Sequence, residues 1–338
     1  MDGVSMSDRS FTACVKKKIV IAGIGEVGKA VALSIVNQGL CDELVLVNRT
    51  KSKAIGYALD LMHCLQFMPS NMRIHAGDFE DCADASIVIL CPSGSLPQNI
   101  DRSLHIHTSR MVVRNFVRQI MAAGFNGCFI VITNPVDSIT HFVWQISGLP
   151  KERIIGTGTM LDSARLRFYL GHILSVNPKS IEAFALGEHG FSMFIPWSHI
   201  SVCGKPLIEL MKEKPELFPD DFQSTMLEKV RMAGFKIANN LGTTSCGVAT
   251  CSVALVKSIL LDENTIFPVS TNVKGHYGIE DDVFVSVPCV VGRGGVREII
   301  DLTLNEEERQ QMDTTVGVVK QISSMTTEYL DDNENGLS

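Results

Sequence analysis

Residues Gly23-Ile24-Gly25-Glu26-Val27-Gly28 place three glycines at G-x-G-x-x-G spacing. They follow the β-branched run KIVIA directly and open the helical stretch EVGKAVALSIVNQGL (26–40). No other feature narrows the fold as far. In a strand–turn–helix unit the first glycine makes the turn and the second lets the backbone approach a pyrophosphate. The third allows close helix–strand packing, and the helix N-terminus offers partial positive charge to the phosphates. Gly23, Gly25, Val27 and Gly28 are therefore candidate dinucleotide contacts. Taken alone, the hexapeptide also fits a bare turn.

The residues that follow keep the same rhythm. ELVLVN (43–48), ASIVILC (85–91) and FIVITN (129–134) read as strands, and SKAIGYALDLMHCL (52–65) and a stretch near 108–123 as helices. Such alternation predicts a right-handed, doubly wound parallel α/β sheet of the Rossmann kind. Beyond it the rhythm breaks. A helix near 161–174 leads to KSIEAFALGEHG, and short strand-like pieces (FIPWSHISV and DDVFVSVPCVVG) flank helices near 222–240 and 246–260. The expectation is a dinucleotide-binding domain over 1–156 and an α+β substrate domain over 157–338, packed together without a low-complexity linker. The last stretch, from Leu304, reads as a charged amphipathic helix with a solvated surface.

Composition excludes several classes. A net charge of −7 gives no electrostatic footing on nucleic acid or an anionic membrane, and neither partner is expected. Ten cysteines contain no C-x-x-C pair, which reads as reduced thiols in a cytoplasmic protein, without disulfides or a metal site. No apolar run approaches the roughly 18 residues of a membrane span.

The position about twenty residues past Gly28 usually carries an acid for the adenosine ribose. Here it is Asn48, followed by Arg49. An amide does not repel a 2′-phosphate, and Arg49 can hydrogen-bond one, so NADP is admitted. The alternative is that Asn48 holds the ribose of NAD while Arg49 faces solvent. The cofactor is expected to be NAD or NADP, with a slight lean toward NADP tolerance.

Two further groups suit ketone reduction. His189 sits between Glu188 and Gly190 after an apolar run, where its ring can be presented as a proton donor to a developing alkoxide. Arg165 lies three residues after Asp162, on nearly the same helix face, and a guanidinium there can grip a substrate carboxylate with two parallel hydrogen bonds. A structural histidine is the alternative for any one of the nine.

Four segments, SLPQNIDR (95–102), TNPVD (133–137), LDSAR (161–165) and LGEHG (186–190), together resemble the L-lactate/malate dehydrogenase family. IIGTGTMLDSAR and GTTSCGVAT are most similar to its L-2-hydroxyisocaproate dehydrogenase branch, and the likeness runs from about Lys17 to Glu328. It implies that Asp162 orients His189, and that Arg102 polarises the carbonyl from a mobile loop. It further implies that Asn134 bonds the substrate oxygen and the nicotinamide-side ribose, and that the protein is a homotetramer or homodimer.

The sequence departs from the family in places. Leu96 stands where malate dehydrogenases carry an arginine, with Gln98 an alternative register, and Thr243-Thr244 replace a Tyr-Thr pair. Loss of the cation and of the ring implies a roomy apolar pocket. The substrate expected is a small 2-oxo or 2-hydroxy acid with a bulky branched or aromatic side chain. Two other readings stay open: an L-lactate dehydrogenase with a divergent loop, and a catalytically inactive dinucleotide-binding sensor.

Overall fold

β1 (Lys18–Ala22) is buried at every position, as a strand covered on both faces must be. Through the glycine turn it enters α1 (Glu26–Gln38), which ends at the left-handed Gly39. β2 (Glu43–Val47), α2 (Lys51–Cys64), β3 (Arg73–Ala76) and β4 (Ile87–Leu90) follow, then α3 (Arg102–Ala122), β5 (Cys128–Val131), α4 (Val136–Ser147) and β6 (Ile154–Gly156). The computed structural model describes residues 17–92 and 102–324, with only the helical backbone for 102–105.

The six strands pair in parallel in the order β3-β2-β1-β4-β5-β6. The order reverses between β1 and β4, where doubly wound sheets leave a crevice at the carboxyl ends of the strands. Alternate residues serve opposite faces: Ile19 and Ile21 join one core, Val20 and Ala22 the other. α3 and α4 cover the second face through Val113, Phe116, Val117, Ile139, Phe142 and Val143.

α5 (Met160–Leu174) opens the second half. A small antiparallel sheet of β7 (Ile181–Glu182), β8 (Ser201–Val202) and β9 (Lys205–Pro206) comes next. α6 (Leu207–Glu213), α7 (Phe222–Leu241) and α8 (Cys246–Leu261) precede β10 (Thr265–Asn272), β11 (Phe284–Gly292), β12 (Gly295–Ile299) and α9 (Glu306–Ser324). β10 joins β6 antiparallel at Ser270 and Gly156, so the main sheet has nine strands and runs on past residue 156. α8 packs against α1, tying the halves together on a second layer.

Three of the expected elements take a different form in the structure. FIPWSHISV is not an extended strand: Pro196 starts a 3-10 turn over Trp197–His199, leaving only the two residues of β8, because proline cannot donate to a ladder. α3 begins at Arg102, earlier than expected. α9 is not a solvated helix. Met312, Thr315, Val316, Val319 and Ile322 are buried, and the helix lies on α4 and β11.

Candidate active site

A cavity of about 570 Å³ opens beside the carboxyl ends of the parallel strands. Its wall includes Val27 of α1, Asn134 behind β5, Thr157 behind β6, Asp162 and Arg165 of α5, His189, and Thr244 ahead of α8.

The glycine turn meets the demands of a pyrophosphate cradle one position at a time. Gly23 has φ +108, and a Cβ there would lie 2.7 Å from the Pro92 nitrogen. A Cβ at Gly28 would run into the Gly23 carbonyl oxygen, which is how α1 sits so close to β1. Gly25 caps α1 in an extended conformation, and a Cβ there would meet nothing within 4 Å. Two glycines are thus explained by the protein's own packing, and the third borders open space at a helix N-terminus. Those residues fit a dinucleotide.

Asn48 is used inside the fold. Its Oδ1 accepts from the Ile24 N–H at 3.1 Å and its Nδ2 donates to the Thr50 carbonyl at 3.0 Å, bracing the glycine turn against the start of α2. Arg49 is exposed beside it.

Asp162 lies in the first turn of α5, and that turn is bolted to the segment between β7 and the histidine. Thr159 Oγ1 donates to the Ala185 carbonyl at 2.5 Å, and the Ala185 N–H donates to Ser163 Oγ at 2.8 Å. Past Ala185 the chain makes bridges from Leu186 to Phe194 and from Gly187 to Ser286 of β11, so the histidine loop is held at its base. His189 Nδ1 meets Asp162 Oδ2 at 2.6 Å, and Arg165 Nη1 donates to Asp162 Oδ1 at 2.8 Å. With Nδ1 committed to a carboxylate, Nε2 is the nitrogen left for proton transfer.

The charges reinforce this arrangement. Burial disfavours the imidazolium, but the charge and hydrogen bond of Asp162, with Asp137 adding, raise the His189 pKa to about 9. Burial likewise opposes an ionised Asp162, and His189 and Arg165 overcome it, holding that carboxyl below its ordinary range.

Asp137, within TNPVD, carries a role that the motif alone does not reveal. Its carboxylate, buried in the first turn of α4, accepts the His189 backbone N–H at 2.8 Å. Burial pushes it up to about 6, opposed by the neighbouring Ser270 hydroxyl and by the hydrogen bond from that N–H. An acid inside the apolar run of α4 was the available signal. Thr315 of α9 was also missed: its Oγ1 accepts the Glu188 N–H at 2.8 Å and sits 2.9 Å from Ser192 Oγ. Arg231 and Gly234 of α7 were missed too. Arg231 lines the cavity while donating to the Met193 carbonyl at 2.6 Å, and a Cβ at Gly234 would lie 3.4 Å from Arg165 Nη2.

Of the remaining sequence candidates, Thr244 lines the cavity and its neighbour Thr243 does not. Leu96 and Gln98 lie outside the described residues, as does the side chain of Arg102 at the start of α3. Among the described residues no group of three or more His, Cys, Asp or Glu could hold a metal ion, and no helix is long and apolar enough to cross a membrane.

A dinucleotide cradle beside a paired histidine and aspartate and a nearby arginine defines a nicotinamide-dependent dehydrogenase class of site. Residues 17–156 match the family model for the lactate/malate dehydrogenase NAD-binding domain, and residues 159–329 that for its alpha/beta C-terminal domain. L-lactate dehydrogenase 3 of Bacillus cereus is 40% identical over 295 residues, covering 87% of this chain and 93% of its own. The crystal structure of a lactate dehydrogenase from a Medee basin deep-sea metagenome library superposes with a TM-score of 0.89. It is 34% identical and covers 92% of this chain and 99% of that one. The minor L-lactate dehydrogenase of Enterococcus mundtii, in its ligand-bound form, gives 0.88 at 37% identity, covering 92% and 98%. The chain belongs to the lactate/malate dehydrogenase family, as a 2-hydroxyacid dehydrogenase with that family's NAD-binding domain.

Proposed function

We propose that the protein reduces 2-oxo acids with bulky apolar side chains, branched or aromatic, to L-2-hydroxy acids. The observation that carries this reading is the His189–Asp162–Arg165 unit at the edge of a cavity whose other walls include Ile106, Leu161, Phe235, Ala238 and Val248. The bound nicotinamide supplies the hydride. Arg165 holds the substrate carboxylate, and its position is set by Asp162. His189 gives its Nε2 proton to the carbonyl oxygen, while Asp162 keeps the ring oriented and stabilises its charged form. Asn134 supports the substrate oxygen at the cavity wall. Arg102, by resemblance, polarises the carbonyl.

A second reading, L-lactate dehydrogenase proper, is favoured by the names its relatives carry. Each methylene buried against the apolar wall is worth about 0.8 kcal/mol, so three favour the larger acid about fifty-fold. The deciding experiment is kcat/KM for pyruvate, 4-methyl-2-oxopentanoate, phenylpyruvate and oxaloacetate. Pyruvate ahead of both larger acids would replace the first reading with the second.

We infer further that NADPH is tolerated beside NADH, since Asn48 carries no charge to repel a 2′-phosphate and Arg49 is exposed next to it. A kcat/KM ratio above about 100 in favour of NADH, about 2.7 kcal/mol, would exclude that. The same reading places the enzyme in the cytoplasm as a homotetramer or homodimer, with the first domain ending near residue 156. The native mass tests the assembly.

A further inference from the structure

Phe191 and Phe235 stack on each other with ring centroids 5.8 Å apart and planes 23° from parallel. Both line the cavity, yet they remain 57% and 52% exposed. Phe67 and Phe168 are more exposed still, but neither lines the cavity, whereas Phe129 and Phe284 are fully buried in the core. A stacked pair with more than half its surface in water has uncovered ring surface facing a site that binds an apolar group.

The backbone places these rings with respect to the reacting groups. Phe191 follows His189 by two residues, on the loop anchored to β11 through Gly187 and Ser286. Phe235 follows Gly234, the residue of α7 that lies against the Arg165 guanidinium. One ring is thus carried by the proton-donor loop, the other by the helix beside the carboxylate anchor. A 2-oxo acid gripped at Arg165 with its carbonyl at His189 extends its side chain within reach of both.

We propose that Phe191 and Phe235 are specificity-determining residues that receive the aromatic side chain of the substrate. This deepens the 2-oxo acid reading above and rests on it. Aromatic rings prefer offset-stacked or edge-on neighbours because of their quadrupoles, and such contacts add to what area burial alone provides. A branched side chain gains the area only, so the pair selects arylpyruvate-type acids over branched ones of similar size.

The test compares the wild type with Phe191→Ala, Phe235→Ala, Phe191→Leu and Phe235→Leu in two measurements. In steady-state turnover with NADH, the wild type is expected to favour phenylpyruvate over 4-methyl-2-oxopentanoate by about threefold to tenfold. Each alanine should lower the phenylpyruvate-to-pyruvate ratio of kcat/KM about tenfold. Each leucine should keep the branched acid and lose the aromatic preference. In calorimetry, phenylacetate, which carries the carboxylate and ring but no reducible carbonyl, should bind the holoenzyme about tenfold more weakly in both alanine variants. The proposal is overturned by a wild-type preference for the branched acid, or by equal losses for all acids. It is also overturned if the alanines change the native mass without changing the ratio, which would make the pair a contact between copies of the chain. Were no 2-oxo acid reduced at all, the functional reading would fail, and phenylacetate binding would still decide whether the rings accept an aromatic ligand.

Discussion

Two carboxylates hold His189 from different sides, Asp162 at the ring and Asp137 at the backbone. With its pKa raised to about 9, the imidazole is charged at neutral pH and stocked for reduction. The kcat/KM for 2-oxo acid reduction should therefore stay level to about pH 8 and decline as pH rises through about 9, while oxidation of the hydroxy acid gains over the same range. A reduction profile already falling near 6.5, the ordinary histidine value, would mean that Asp162 does not govern the ring. By linkage, the stability this pair contributes is fully present below about pH 6.5 and is lost as pH rises through about 9. His189→Asn should keep dinucleotide binding and lower kcat by about 10²–10⁴-fold. Arg165→Lys should raise KM for the acid and spare NADH affinity, because an ammonium cannot reproduce the fork. His189, Asp162 and Arg165 were legible because each sits in a short local motif. Asp137 and Thr315 were not, since their contacts join residues 52 and 127 positions apart.

At the scale of elements, the glycine turn allows packing and ligand approach to be separated. A side chain at Gly28 must displace the Gly23 carbonyl, so Gly28→Ala should destabilise the fold by about 1–3 kcal/mol and weaken dinucleotide binding with it. Gly25 has φ −90 and open space beyond its Cα, so alanine fits the backbone there without strain. Gly25→Ala should melt within about 2 °C of the wild type, roughly a ΔΔG under 1 kcal/mol, yet bind NADH at least tenfold more weakly. Equal melting losses in both variants would show that Gly25 is merely structural. β1, β2, β4 and β5 were readable because burial on both faces leaves an apolar run. The polar edge strand β3 and the three-residue β6 gave no such run. α4 and β10 were not readable either. α4 is dense in β-branched and aromatic residues (Ile139, Thr140, Phe142, Val143, Trp144), which lowers its helical signature. β10 carries Pro268 in its middle, a mark that ordinarily argues against a strand inside a sheet. α9 reads as solvated because its acidic first turn is conspicuous, whereas its buried face is spread over four turns.

The whole molecule is unified by its sheet and by its site. β10 hydrogen-bonds to β6 across the boundary expected from sequence, and α8 of the second half lies on α1 of the first. The histidine of the second half takes its backbone support from Asp137 of the first. A change in sequence rhythm was visible near residue 156, but rhythm reports local periodicity and not which edge strand a later hairpin will extend. Halves joined by a shared sheet, a shared helix layer and a shared catalytic loop cannot lose one without exposing the other's core. Calorimetry should therefore show a single unfolding transition. NADH at about a hundred times its Kd adds about 2.7 kcal/mol to the folded state. At about 2.1 cal/mol/K per residue, that moves the transition up by about 4 °C as a unit. Two resolved transitions, with NADH shifting only the first half's, would show that the boundary near residue 156 separates independently folding bodies and that the contact between β6 and β10 is weak.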